Sequence, residues 1–301
     1  MLNMKKIFFL AVIAALAFSS CDKVDNPYSG ATNGGDSTVV KTRKLLLEEF
    51  TGHICVNCPK GALTVHSIQH DYPGKVIAVA YHADYYAKPQ PPPSIFAQDF
   101  RSTVGDAYAS TKFHITAYPT AMINRLNFGA GLHPITTTDT WRDTVIKYKD
   151  VAPDAFLTIS NSYTSSTLTS TVKCEFMNLL NGNYNLVVFL TEDSIVAPQK
   201  NGTATVPADP AYPAGDVVNY VHMHMIRDCI SDVNGAGVQI VTGSVAAGDS
   251  VIKTFNYTVP ANFNGAAPVG TVPVAKHCNV VAFIYNTTTM EVVQAEEAKM
   301  Q

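Results

Sequence analysis

Cys55 and Cys58 stand three positions apart in the stretch EEFTGHICVNCPK, residues 48–60. That spacing serves three chemistries. Two such thiols can exchange a disulfide with another protein, supply half of a zinc site, or close on each other as a structural staple. Zinc asks for four ligands, typically two pairs of this kind, and the chain has no second CxxC. A redox centre and an inert staple therefore stay open. Exchange requires a thiolate. A helix N-terminus carries unpaired N–H groups and about half a positive charge, which lowers the pKa of a thiol placed there. Cys55 sits where the next helix should open, the place of a nucleophile, and Cys58 one turn on would resolve the mixed disulfide. His53 offers a proton shuttle when neutral and further thiolate stabilisation when charged; the alternative is an exposed loop histidine.

The elements around this pair must hold it in place. Residues 44–50 form a short apolar run that ends in Thr51-Gly52, the pattern of a buried strand entering a turn. Residues 59–70 carry Ala62, Leu63, Val65 and Ile68 at helical spacing, with Pro59 suited to the first turn and Pro73-Gly74 as the stop. Residues 75–81 are continuous and β-branched, as expected of a strand covered on both faces. Phe96, Phe100, Val104 and Tyr108 recur every four residues and predict a helix with one apolar face. A third strand is expected at 120–123 and a last helix at 138–148, with Trp141, Val145 and Tyr148 inward. This alternation predicts an α/β layer with helices packed on a sheet. The insertion at 83–94 is proline-rich, and its Tyr85 and Tyr86 can either stack on a ligand or belong to a rigid surface loop.

The order of elements resembles that of thioredoxin-like proteins, with the CxxC between the first strand and the first helix. The resemblance implies an exposed Cys55 as nucleophile. It implies that Glu49, six residues earlier, is a buried acid assisting proton transfer. It also implies a cis-proline at Pro119 facing the cysteines, with Tyr118 offering backbone to a substrate peptide. His53-Ile54 stands where those proteins carry a tryptophan, and Val56-Asn57 replaces the usual Gly-Pro. The mature chain further resembles the outer-membrane-protein-28-related family of thioredoxin-like bacterial lipoproteins. That likeness rests on residues 48–52 with Cys55, Asn57, Cys58 and Pro59, on Leu190-Thr191-Glu192-Asp193, on residues 220–224, and on Gln294-Ala295-Glu296-Glu297. It implies attachment to the outer membrane, on the periplasmic or the surface face.

Residues 151–301 read as all-β. Alternation at 155–160 and 167–176, an Asn181-Gly182-Asn183 turn, and further runs at 184–191, 217–226, 238–242, 250–259, 279–285 and 291–295 predict about eight strands in an immunoglobulin-like sandwich. On one unbroken strand His222 and His224 would share a face. No third ligand accompanies them, so a pair of structural histidines is expected rather than a metal site. With Cys55 paired to Cys58, two of Cys174, Cys229 and Cys278 are expected to pair and one to stay free.

The chain begins with Lys5-Lys6, an apolar run over 7–18 and Ser19-Ser20-Cys21. That order is a secretory signal, and Cys21 resembles the lipidated cysteine of a bacterial lipobox. The expected organisation is a signal at 1–20, a flexible Gly/Ser/Asn-rich tether at 21–40, a thioredoxin-like domain at 41–150 and a β-sandwich at 151–301. A net charge of −3 without basic clusters argues against nucleic acid. The expected partners are the membrane, through a lipid on Cys21, and the thiols or disulfides of exported proteins. No cofactor or metal is implied. The sequence favours thiol–disulfide exchange, with a non-catalytic binding lipoprotein as the alternative.

Overall fold

The structure, a computed structural model, describes residues 40–128, 133–202, 216–265 and 269–301. The signal, the tether and Cys21 lie outside the described residues. Strand β1 (Leu45–Thr51) and strand β2 (Val76–His82) are buried at every position. They run parallel in register from Leu45↔Val76 to Thr51↔His82, joined by helix α1 (Cys58–Asp71). Strand β3 (Thr120–Ile123) lies antiparallel on the other side of β1. Helix α3 (Asp139–Tyr148) packs with α1 over one face, where Leu45, Leu47, Val65, Ile68, Trp141 and Val145 form a closed cluster.

The predicted helix from Phe96 to Tyr108 is mostly absent. Only α2 (Thr103–Asp106) forms, running into a π-helical turn at Ala107–Lys112. Ser102 is extended and its Oγ caps Gly105 N at 3.0 Å, which fixes the helix start. Before it, Gln90 N donates to Phe96 O and Phe100 N to Ala87 O. Phe96 and Phe100 are thus buried from a loop, so their four-residue spacing reported burial and not a helix.

The second half supplies strands β4 (Ala155–Thr164), β5 (Thr167–Phe176), β6 (Leu180–Asn181), β7 (Tyr184–Glu192), β8 (Ile195–Gln199), β9 (Val217–His222) and β10 (Met225–Cys229). It continues with β11 (Val238–Val241), β12 (Ser244–Val245), β13 (Ser250–Thr258), β14 (Cys278–Asn286) and β15 (Val292–Lys299). These do not form a domain of their own. One eight-stranded sheet runs β15-β14-β7-β10-β2-β1-β3, with β11 beside β7. The seam is β10 against β2, where Met225 faces Ala80 and Ala80 N donates to His224 O at 2.8 Å.

The expected thioredoxin-like α/β domain followed by a separate sandwich is therefore overturned. Residues Lys41–Gln301 form one compact, largely β unit around a mixed sheet. The reason lies in β7 and β14. Leu186, Val188 and Leu190 on β7 face the three-stranded sheet β13-β5-β4. Val187 and Phe189 face the opposite way, onto Tyr81, Tyr108 and Phe283. A strand with both faces buried is the middle layer of the molecule and cannot be one wall of a free-standing sandwich.

Three smaller expectations also change. The Asn181-Gly182-Asn183 turn does not close a hairpin, since β6 pairs β12 while β7 joins the large sheet. The expected strand at 217–226 is broken, because His224 adopts φ 56° and splits β9 from β10. Cys174, Cys229 and Cys278 are all free and buried, on three different strands where none faces another. They act as small core residues. Burial pushes their thiols up, to about 12 for Cys174 and Cys278 and about 11 for Cys229.

Candidate functional site

The CxxC loop leaves β1 at Thr51 and enters α1 at Cys58. At Gly52 a side chain would overlap the Tyr86 carbonyl, so the backbone can pass there only as glycine. Ile54 N donates to Tyr86 O at 3.1 Å and Cys55 N to Gly52 O at 3.1 Å. Cys55 and Cys58 form a disulfide, with Cα atoms 5.4 Å apart. Each is only 2% exposed. The helix opens at Cys58 with Asn57 as its N-cap, so Cys55 precedes the cap.

A segment from the second half lies along this loop. Lys200 N donates to His53 O at 2.8 Å and Gly202 N to Val56 O at 3.0 Å. Gln199 is itself buried, and its Nε2 donates to Cys55 O at 3.0 Å and Gly52 O at 3.3 Å. The loop is thus clamped on one side by Tyr86 and on the other by residues 199–202. Nothing in the Pro/Gly-rich composition of residues 197–215 signals this distant partner.

His53 is not an exposed loop histidine. It is fully buried, its Nε2 donates to Lys88 O at 3.0 Å, and its ring lies 5.1 Å from Phe100 and 5.6 Å from Phe96. Burial lowers its pKa, which keeps it neutral. Glu49 is 5% exposed and its Oε1 has no hydrogen-bond partner. Burial alone raises its pKa to about 8. The Tyr118–Pro119 peptide is cis, and the Tyr118 ring stacks obliquely 5.0 Å from Tyr86, close to the loop's far side. Tyr85 is exposed on a short helical turn at Asp84–Ala87.

Glu49 and Cys58 line a cavity of about 230 Å³ between α1 and β9. Its walls include Ala62, Val65 and His66 from α1, His82 from β2, and Tyr220, His222 and Met223 from the second half. His53 and Tyr118 are not among its lining residues. His222 packs against His82, the ring nitrogens 3.3 Å apart, and burial pushes His222 down to about 3. His224 also lines the cavity, and its Nδ1 lies 3.3 Å from the Asp193 carboxylate. The strand break at His224 thus separates two histidines that an unbroken strand would align. Among the described residues no group of three His, Cys, Asp or Glu is placed to hold a metal ion.

Gly61 seats the acid. A Cβ there would overlap Glu49 Oε1 and stand 2.9 Å from Pro119 Cβ and 3.2 Å from Trp141 Cη2. Glycine in a helix ordinarily costs about 1 kcal/mol relative to alanine. Gly61→Ala is nevertheless expected to destabilise, because overpacking of about 1–3 kcal/mol outweighs that gain. A lower urea midpoint at unchanged m value checks this, and a stabilised variant would refute the packing of Glu49 against the helix.

A family model described as Outer membrane protein Omp28 matches residues 106–301. The match includes the strap and β9 but not Cys55 and Cys58. No curated protein matches the chain. Among solved structures, HBP35 of Porphyromonas gingivalis is similar with a TM-score of 0.61 at 15% identity, over 86% of this chain and 76% of that one. That likeness concerns the fold alone, and it extends across residue 150. A protein from Agrobacterium tumefaciens is similar with a TM-score of 0.47 at 12% identity, over 87% of this chain and 96% of that one. A domain of the outer membrane lipoprotein Omp28 from Porphyromonas gingivalis covers 50% of this chain and 89% of its own, at 16% identity and a TM-score of 0.30. With the family model covering most of its length, the chain belongs to the Omp28 family of outer membrane proteins.

Proposed function

We propose that the chain is a non-catalytic binding lipoprotein of the outer membrane, in which the Cys55–Cys58 disulfide is a structural staple and the cavity beside Glu49 is the binding site. The observation that carries this reading is the strap. Cys55 and Cys58 are each 2% exposed, in a loop that residues 199–202 clamp through backbone and Gln199 hydrogen bonds. Exchange needs in-line access of an attacking thiolate to one sulfur. Access to Cys55 through the loop would break the strap. A disulfide closing so short a loop stabilises by about 2 kcal/mol in the chain-entropy account.

The test is native alkylation. After treatment with dithiothreitol and iodoacetamide, Cys55 and Cys58 are expected to remain unlabelled until denaturant is added, with mass spectrometry as the readout. Insulin reduction followed by turbidity is expected to run no faster than with a Cys55→Ser control. Rapid native labelling together with insulin turnover would overturn the staple.

One observation favours a second reading. Cys58 shares its cavity with Glu49, an acid that burial keeps protonated at neutral pH. That arrangement suits thiol–disulfide exchange with exported proteins, Cys58 being approached from the cavity side, and the same alkylation test decides it. Anchoring has its own test. Intact mass of the membrane form is expected to show acyl chains on Cys21, and Cys21→Ala is expected to release the protein from the membrane.

A further inference from the structure

We infer that the cavity between α1 and β9 takes the ammonium end of an aliphatic amine, with the Glu49 carboxylate as its counter-ion and Tyr220 and Met223 as its walls. This rests on the reading of the cavity as a binding site and names the chemical class it takes. The volume of about 230 Å³ far exceeds the ~10–15 Å³ of probe-occupied space that one water needs. Ala62, Val65, Ala80, Val221 and Met223 give the cavity an apolar side, which suits an alkyl chain.

Among the described residues a single carboxyl group lines the cavity. Glu49 is more than nine-tenths buried, its Oε1 packed against Gly61 without a hydrogen-bond donor, and the residue lines the cavity. The remaining titratable groups facing it are His66 on α1, His82 on β2, and Tyr220, His222 and His224 from β9 and the turn after it. Burial holds His82 and His222 well below their usual range, so both are neutral. Asp193, outside the cavity, raises the pKa of His224 and carries the charge that matches it. Among the described residues no lysine or arginine lines the cavity to receive an anion. An ammonium offers three donors, finds an acceptor at Glu49, and gains from the face of an aromatic ring.

A proton is coupled to this binding. In the empty cavity Glu49 keeps its proton up to about pH 8. A cation beside it favours the carboxylate, so the acid loses its proton to solvent while the amine stays charged. The balance is a protonated Glu49 plus an alkylammonium giving an ion pair and one free proton. An alcohol of the same length would release none.

The experiment is calorimetric titration of the full chain carrying Cys21→Ala, at pH 7, with hexylamine, hexanol and hexanoate. Two buffers of different ionisation enthalpy report the protons released. Hexylamine is expected to bind with release of up to ~1 proton, and Glu49→Gln to weaken it by roughly thirtyfold or more and abolish the release. The wild-type proton count stands whatever the variant's stability. Hexanol or hexanoate binding as well as hexylamine, or hexylamine binding without proton release, would overturn the amine assignment and leave the binding cavity intact. Failure of all three probes would overturn both.

Discussion

Replacing Arg125 by methionine is expected to lower the unfolding free energy by about 3–5 kcal/mol. Arg125 and Glu48 are both fully buried. The guanidinium donates from Nε to Glu48 Oε2 at 2.8 Å and from Nη2 to Oε1 at 2.7 Å, and the Tyr81 hydroxyl adds a third donor to Oε1 at 2.7 Å. Rings of Tyr108, Phe113, Phe283 and Tyr285 surround the cation, their centroids 4.8–5.3 Å from it. Methionine fills much of the same volume but leaves a carboxylate in an apolar cage with one hydroxyl for company. That residual charge, and not the lost attraction, sets the size of the effect. The double variant Glu48→Gln with Arg125→Met is therefore expected to recover a large part of the loss. Urea denaturation of the four proteins measures the coupling. If the double variant is as unstable as the sum of the singles, the pair is not an isolated buried unit. Because Phe283 and Tyr285 come from β14, the same loss would spread through both halves of the chain.

Glu48 shows where sequence reading reached and where it stopped. The alternation of elements was legible from residue 44 to 82 and again at 120–148, since β1, α1, β2, β3 and α3 lie within two residues of their expected limits. Runs such as VIAVAYH carry their burial in their own composition. Pairing between distant segments does not. Glu48 and Glu49 are adjacent acids on one strand, so alternation sends them to opposite faces. One meets Arg125 and the other meets the space beside Gly61, and only the tertiary partners tell them apart. The same limit explains the fold. Leu186 to Leu190 read as a strand under either architecture, and the second buried face appears only once Tyr81 and Tyr108 are set against it. The candidate site was half legible. Cys55, Cys58 and Glu49 were named from spacing and likeness, whereas Gln199, Tyr220 and His82 belong to it through the β2–β10 seam and the strap.

Glu49 gives a large expected pH effect that reaches through neutral pH. Its pKa is raised by burial from 4.5 to about 8 in the folded protein, while the unfolded chain keeps the ordinary value. Between those values the folded state binds the proton that the unfolded state has lost, so stability falls as pH rises. The contribution is fully present below about pH 4.5 and is lost by about pH 8. The slope inside the window approaches ~1.4 kcal/mol per pH unit, and the whole amounts to a loss on the order of 4 kcal/mol. Other groups titrate over the same range, so the decisive quantity is a difference. Urea denaturation of wild type and Glu49→Gln from pH 5 to 9 is expected to give curves that diverge, with Glu49→Gln the more stable at high pH and the gap closing toward pH 5. A constant gap would mean that Glu49 is ionised throughout and already paired. Saturating hexylamine should flatten the wild-type curve toward that of Glu49→Gln, because a bound cation returns the carboxyl toward its ordinary range. Stability against pH, with and without amine, thus reads the same proton that calorimetry counts on binding.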